Sequence, residues 1–144
     1  MWILFAIAAS LLWGLLYVVN EKVFNYIRVT PYIAISLLTA GVVMTIISLI
    51  SGEFIKDMAA IASSRKLFIL VASGIALLIL AELCIGYSIM AKNATIAGLI
   101  EISYPIFIVI FSYVLFKENH MSIATAIGGA FVFTGIGVIY AFNR

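Results

Sequence analysis

Long apolar runs alternate with short polar segments along the whole chain. Five runs can be delimited, at residues 2–19, 31–50, 67–90, 95–116 and 123–142. Because a bilayer core of about 30 Å needs roughly 20 helical residues, each run is long enough to cross a membrane. The segments between the runs are too short to form a soluble domain. The pattern therefore predicts an all-α membrane protein, with residues 1–144 forming a single domain of five transmembrane helices.

The first run and two of the polar segments need separate interpretation. No basic segment precedes the first run, so we expect it to be retained rather than cleaved as a signal peptide. In the segment after the second run, Phe54, Met58 and Ile61 recur at helical spacing. This spacing is typical of a short helix in the headgroup region, and a solvated loop is the alternative.

We interpret His120, beside Glu118 at a helix boundary, as a solvated residue rather than a pH sensor or ligand.

Composition narrows the class of protein further. Hydrophobic residues make up 66% of the chain and charged residues 10%, which is far too apolar for a soluble domain. The net charge of +2 forms no basic patch, so no nucleic-acid partner is expected. The sequence has no metal-ligand cluster, no nucleophile–base pair and no phosphate-binding glycine loop. We therefore predict no metal, no cofactor and no enzymatic activity.

Glu101 is the most informative residue for predicting the function. It precedes Pro105 by four positions, and proline cannot donate the backbone hydrogen bond that the Glu101 carbonyl would accept. An ionisable side chain and a free carbonyl thus occur together at membrane depth, where lipid can satisfy neither. Glu101 shares a small, polar helix face with Ala97, Gly98 and Tyr104. We predict that Glu101 and Tyr104 line a cavity that binds substrate or a proton; the alternative for Glu101 is a hydrogen bond to a neighbouring helix.

Three more residues are candidates for the same site. Glu82, in the third run, lies at about the depth of Glu101, and two adjacent carboxylates can hold a proton, bind a cation or exchange one for the other. Glu82 can instead anchor a helix contact. Trp13 and Tyr17 lie one turn apart in the first run. Trp13 either lines the cavity, where its ring would stabilise a cation, or simply packs. Tyr17 either joins the site or anchors the helix at the membrane boundary.

Basic residues are divided evenly between the two sides of the membrane. Five spans place four on the side of the N-terminus and four on the other: Lys56, Arg65, Lys66 and Lys117 against Lys22, Arg28, Lys92 and Arg144. An excess on one side normally sets the orientation of a membrane protein. The balance fits either a weakly biased single orientation or dual topology, in which copies insert both ways and pair antiparallel.

Small residues in the fifth run predict close helix packing. Gly128 and Gly135 lie on one stripe of that run, and such stripes let helix backbones approach in lipid. Together with Pro105, they are assigned to helix packing rather than to chemistry.

Several of these segments resemble motifs of the drug/metabolite transporter superfamily, and specifically a single EamA-like half. Trp13-Gly14 resembles the opening Trp-Gly motif, and residues 87–105 resemble the junction of the third and fourth helices. Phe116-Lys117-Glu118 and the glycines of residues 127–137 resemble the last turn and last helix. Two features depart from the family pattern: the second run lacks an early arginine, and both buried acids stand where relatives commonly carry apolar or aromatic residues.

The resemblance implies half of a ten-helix transporter built from two inverted five-helix halves. A lone half needs an inverted partner, either itself as an antiparallel homodimer or a homologous subunit. The implied function is transport of a small metabolite or organic cation by alternating access. Glu101, a feature of this chain rather than of the family, adds a group that can bind a proton or a cation, which makes coupled exchange possible. Uncoupled passage of a neutral metabolite is the alternative. The implied location is the inner (plasma) membrane, in contact with lipid. The alternatives are a subunit of a heteromeric lipid-linked flippase and a membrane subunit that transports nothing.

Overall fold

The structure, a computed structural model, describes residues 1–118 and 122–142; the predictions for His120 and Arg144 fall outside them. The described residues form helices and no strand. The helices are α1 (Trp2–Val23), α2 (Val29–Ile50), α3 (Phe54–Ser63), α4 (Arg65–Ala91), α5 (Ala94–Glu101), α6 (Tyr104–Phe111) and α7 (Ile123–Phe142), with a π-helical turn at Ser112–Phe116 between α6 and the last connection.

Five helical stretches of the described chain are long and apolar enough to cross a membrane. They are α1, α2, α4, the stretch Ala94–Phe116 that contains α5 and α6, and α7. This confirms the predicted all-α class with five transmembrane helices. Residues 54–63 are helical, as the spacing of their apolar residues predicts, rather than a loop. The location of this α3 helix in the headgroup region remains a prediction.

The fourth transmembrane stretch is broken where the sequence places Pro105. α5 ends at Glu101, and α6 begins at Tyr104 with the proline in its first turn. At the break, the Ser103 amide donates to the Ile100 carbonyl (3.2 Å), and the Ile106 amide donates to the Ser103 carbonyl (3.1 Å). These bonds to the third residue back replace the usual bonds to the fourth. The freed acceptor that Pro105 predicts at Glu101 therefore coincides with the end of a helix.

Close packing is concentrated at one end of the bundle. This packed end comprises the last turns of α1 and α4 and the first turns of α2 and α5, and contains the buried residues Tyr17, Asn20, Val29, Ile33, Gly86, Ile89, Ala94 and Ala97. Gly86 allows α2 and α4 to approach, since a Cβ on it would lie 2.6 Å from Val29 Cγ1. Towards the other end, large apolar side chains such as Leu4 and Met44 are exposed on the outside of the bundle.

Most glycines of α7 lie away from the other described helices. A Cβ built on Gly128 or Gly135 would meet nothing within 4 Å, whereas one built on Gly129 would lie 3.4 Å from Ile106 of α6. Gly129 is therefore the α7 glycine closest to another helix. The packing role predicted for Gly128 and Gly135 remains a prediction, since neither glycine has a close neighbour among the described residues.

Candidate functional site

The centre of the candidate site is a contact between α1 and α5. The hydroxyl of Tyr17 donates a hydrogen bond to Oε2 of Glu101, at 2.5 Å. The Tyr17 ring packs against Gly98 of α5, where a Cβ would lie 3.3 Å from Tyr17 Cδ2. Because glycine has no side chain, the ring can lie close to α5 and its hydroxyl can reach the carboxylate. Both residues were predicted for the site, and the structure brings them together. Tyr17 is only 9% exposed, so its side chain lies inside the bundle, and its role in a functional site remains a prediction.

A cavity of about 570 Å³ lies beside this contact. Ser10, Trp13 and Tyr17 line it from α1, Gly98 and Glu101 from α5, and Tyr104 from α6. Pockets of about 300–1,000 Å³ with apolar walls and a few polar groups are usual for small-molecule ligands. The cavity has this composition, with the Glu101 carboxylate as its acidic group.

Two further aromatic residues, Trp13 and Tyr104, line the same cavity as the carboxylate. Trp13 packs edge-on against Tyr17, with ring centroids 5.8 Å apart and planes at 65°. Trp13 remains 46% exposed and Tyr104 55% exposed, and both line the cavity, so part of each side chain is accessible to a molecule there. Aromatic faces attract cations through their quadrupole. Of the two interpretations of Trp13, the cavity-lining one fits its position.

Glu82 lies near the site but outside the cavity wall. It is half-buried on α4 and close enough to interact electrostatically with Glu101 and Tyr17. The two acids predicted to lie at similar depth are thus neighbours on helices that pack together. Pro105 also lies outside this cavity, beside a second, apolar cavity between α6 and α7.

The charge of Glu101 has no basic partner in the described part of the chain. The hydrogen bond that it receives comes from a neutral hydroxyl, and the ion pair formed near the packed end joins Lys22 to Glu21 instead (3.3 Å). An ionised carboxylate at membrane depth without a cation is costly. A proton or a cationic group in the cavity would remove that cost.

A model of the EamA-like transporter family matches residues 1–141, almost the whole chain. The chain belongs to the EamA-like transporter family. This confirms the resemblance to the drug/metabolite transporter superfamily, which includes this family. EamA-like proteins are membrane transporters rather than enzymes, and the five apolar helices make this member a multi-pass membrane protein. No curated protein and no solved structure matches the chain.

Sequence reasoning missed two oxygens that hold the amino end of α5 in this EamA-like chain. Asn93 Oδ1 accepts from the Ile96 amide (2.8 Å), and Glu21 Oε2 accepts from the Ala94 amide (2.7 Å). Asparagine directly before a helix is a common cap, so Asn93 could have been found from residue type alone. Glu21 could not, because its contact depends on how α1 packs against α5.

Polar contacts also join the helices at the packed end, which holds one side of the site. The Tyr32 hydroxyl donates to Asn20 Oδ1 (2.7 Å), and the hydroxyls of Thr30 and Tyr87 lie 3.0 Å apart. Asn20 is 7% exposed, and a buried amide normally requires such a partner. The sequence pattern places Asn20 in a polar connection, but the helix continues past it to Val23 because Asn20 has a partner inside the bundle.

Proposed function

We propose that the protein transports small organic molecules across the inner (plasma) membrane by alternating access, with Glu101 binding a proton or the cationic group of the substrate. The observation that carries the proposal is the Glu101 carboxylate in a ligand-sized cavity, without a basic partner in the described chain. A site that must hold either a proton or a cation can exchange one for the other across the membrane.

The aromatic walls favour an organic cation over a small inorganic one. Trp13 and Tyr104 are partly exposed in the same cavity as the carboxylate, and the remaining walls are mostly apolar. A cation with apolar substituents would gain from burial, from the ring quadrupoles and from the carboxylate together. Neutral metabolites lack the last two of these contributions, because both depend on a positive charge.

Transport is expected to be measurable in liposomes that contain the purified protein and a pH gradient. We expect at least one compound of a panel of organic cations and neutral metabolites to accumulate against its gradient, with movement of protons recorded by a pH-sensitive dye inside the liposomes. The cations, such as methyltriphenylphosphonium, are expected to give the largest signal. Protein-free liposomes provide the baseline. A cooperative melting transition shows that the protein is folded. If such protein moves no compound of the panel above the baseline, the proposal is contradicted.

We further propose that the working unit is an antiparallel homodimer. Two observations support it: the even division of basic residues, and the open space beside Gly128 and Gly135 in the described part of the chain. Two oppositely inserted copies would supply the inverted repeats on which alternating access depends.

Opposite insertion is expected to appear in cysteine labelling on both sides of the fourth transmembrane stretch. In a Cys84→Ser background, Ala91→Cys and Ser122→Cys place single thiols just before and just after it and leave the even division of basic residues unchanged. A membrane-impermeant maleimide should label each position in roughly half of the molecules from outside the cell, and the rest only after the membrane is permeabilised. Full labelling of one position from outside and none of the other means a single orientation, which rules out dual topology.

A further inference from the structure

We propose that Glu21 is a positioning residue for Glu101, which it serves by fixing the amino end of α5 to α1. The contact involves the Ala94 amide, seven residues before Glu101 on the same short helix. The consequence for transport rests on the proposed function, because Glu101 is the acid that the proposal places in contact with the substrate. The contact and its effect on the position of residue 101 do not depend on what is transported.

The Glu21 contact is well suited to hold a helix end. The first amides of a helix have no partner within it, and a carboxylate near them is stabilised by the helix dipole. Glu21 Oε2 accepts from the Ala94 amide at 2.7 Å, and Ala94 is only 5% exposed. Asn93 caps the same end, but it belongs to the segment that leads into α5 and cannot fix this helix relative to α1.

Non-helical residues flank α5 at both ends. It follows the turn at Lys92–Asn93 after α4, and it ends at Glu101 before the break at Ile102–Ser103. At 1.5 Å per residue, its eight residues span about 12 Å. A helix this short moves as one piece, so a shift at Ala94 is transmitted to Glu101.

The α1 helix contacts α5 near both ends with residues that share one face. Glu21 and Tyr17 are four residues apart on α1, which places them one turn apart on the same side. Glu21 reaches the first residue of α5 and Tyr17 reaches the last. If Tyr17 releases Glu101 when substrate binds, the Glu21 contact remains and keeps the carboxylate directed into the cavity. Glu21 thus provides the fixed end of α5, and Tyr17 the contact that can open.

A thiol in place of the Glu101 carboxylate reports this effect without any substrate. In a Cys84→Ser, Glu101→Cys protein, the rate at which a water-soluble methanethiosulfonate reagent modifies the thiol measures how residue 101 is placed in the cavity. This substitution also removes the Tyr17 bond and leaves the Glu21 contact to hold α5. Adding Glu21→Ala should change the rate about fivefold, because loss of a helix cap changes local equilibria by roughly that factor. Glu21→Asp, one methylene shorter, should behave like alanine.

Two controls separate positioning from a general loosening of the fold. Glu21→Gln keeps an oxygen that can accept from the Ala94 amide, so the rate at residue 101 should return to within about twofold of the parent. A Ser10→Cys thiol on α1, in the same cavity, should keep its rate in every Glu21 variant that folds. Glu53→Ala removes an exposed acid in the connection before α3 and should change neither rate.

The inference is overturned if Glu21→Ala and Glu21→Asp leave the rate at residue 101 unchanged, or if they change the rate at Ser10→Cys by the same factor. The first result means that Asn93 alone holds α5, and the second that the whole bundle has loosened. A protein that transports nothing but gives the expected labelling rates would refute the proposed function and retain the role of Glu21 in positioning α5.

Discussion

Replacing Gly86 with leucine is expected to destabilise the bundle by about 3 kcal/mol or more, because it inserts a side chain where α2 and α4 are in close contact. Even a single Cβ on Gly86 would lie 2.6 Å from Val29 Cγ1 and 3.3 Å from Ile33 Cδ1. Val29 is 1% exposed and has a branched, stiff side chain, so it cannot move aside within the helix. Either α2 separates from α4 or the protein does not fold.

Gly74 provides a matched control on the same helix. A Cβ at Gly74 would meet nothing within 4 Å, so leucine there has open space. Gly74→Leu should equal or exceed the parent in stability, since glycine in a helix interior costs about 1 kcal/mol. Thermal unfolding in detergent, followed by circular dichroism, compares the two variants. Equal melting of Gly86→Leu and Gly74→Leu would show that the α2–α4 contact is absent from the folded protein.

The transmembrane helices follow from hydropathy alone, but their ends depend on tertiary contacts. The predicted first run stops at Val19, whereas α1 continues to Val23. Judged by its polar side chain alone, Asn20 is the first residue of a solvated segment. In the fold, Tyr32 of α2 supplies the hydrogen bond that allows Asn20 to be buried. A local sequence pattern cannot predict that hydrogen bond, because the bond joins residues of two different helices.

The break in the fourth stretch shows what local chemistry can predict. Proline removes a specific backbone bond, so the sequence alone identifies the Glu101 carbonyl as the acceptor left free. The helix does stop at Glu101, and α6 begins at Tyr104, after a gap of two residues, with Pro105 in its first turn. The turn geometry of residues 102–103 is not encoded by the proline alone, since prolines also occur in helices that merely kink.

The positions of individual candidate residues were predictable, but their partners were not. Helical periodicity directs Glu101 inwards, and the rarity of acids at membrane depth makes it a candidate functional residue. The same reasoning treats Tyr17 and Trp13 separately, as residues of another run. The contact between Tyr17 and Glu101 requires α1 to pack against α5 across Gly98, which depends on how the helices are arranged. Glu21 was overlooked for the same reason, because its partner is a backbone amide 73 residues away.

Replacing Glu101 with glutamine is expected to weaken binding of a cationic probe such as methyltriphenylphosphonium about 30-fold or more. Removing one partner of a buried charge pair costs about 2–5 kcal/mol, and each 1.4 kcal/mol is a factor of ten. Glutamine has nearly the same shape and can still accept from the Tyr17 hydroxyl, so the α1–α5 contact should persist. Proton movement coupled to the probe should disappear as well, because the side chain no longer titrates.

Tyr17→Phe is the complementary variant, and it is expected to act in the opposite direction. Phenylalanine keeps the ring on Gly98 but removes the hydroxyl that now bonds to Glu101. The probe then no longer competes with that hydroxyl for the carboxylate, so its affinity should rise severalfold. Titration of Trp13 fluorescence in a Trp2→Phe background measures both affinities, since Trp13 lines the cavity. Glu53→Gln, an exposed acid outside the cavity, should match the parent. Unchanged affinity in Glu101→Gln would place the cation away from this carboxylate, whatever the Tyr17 variant does.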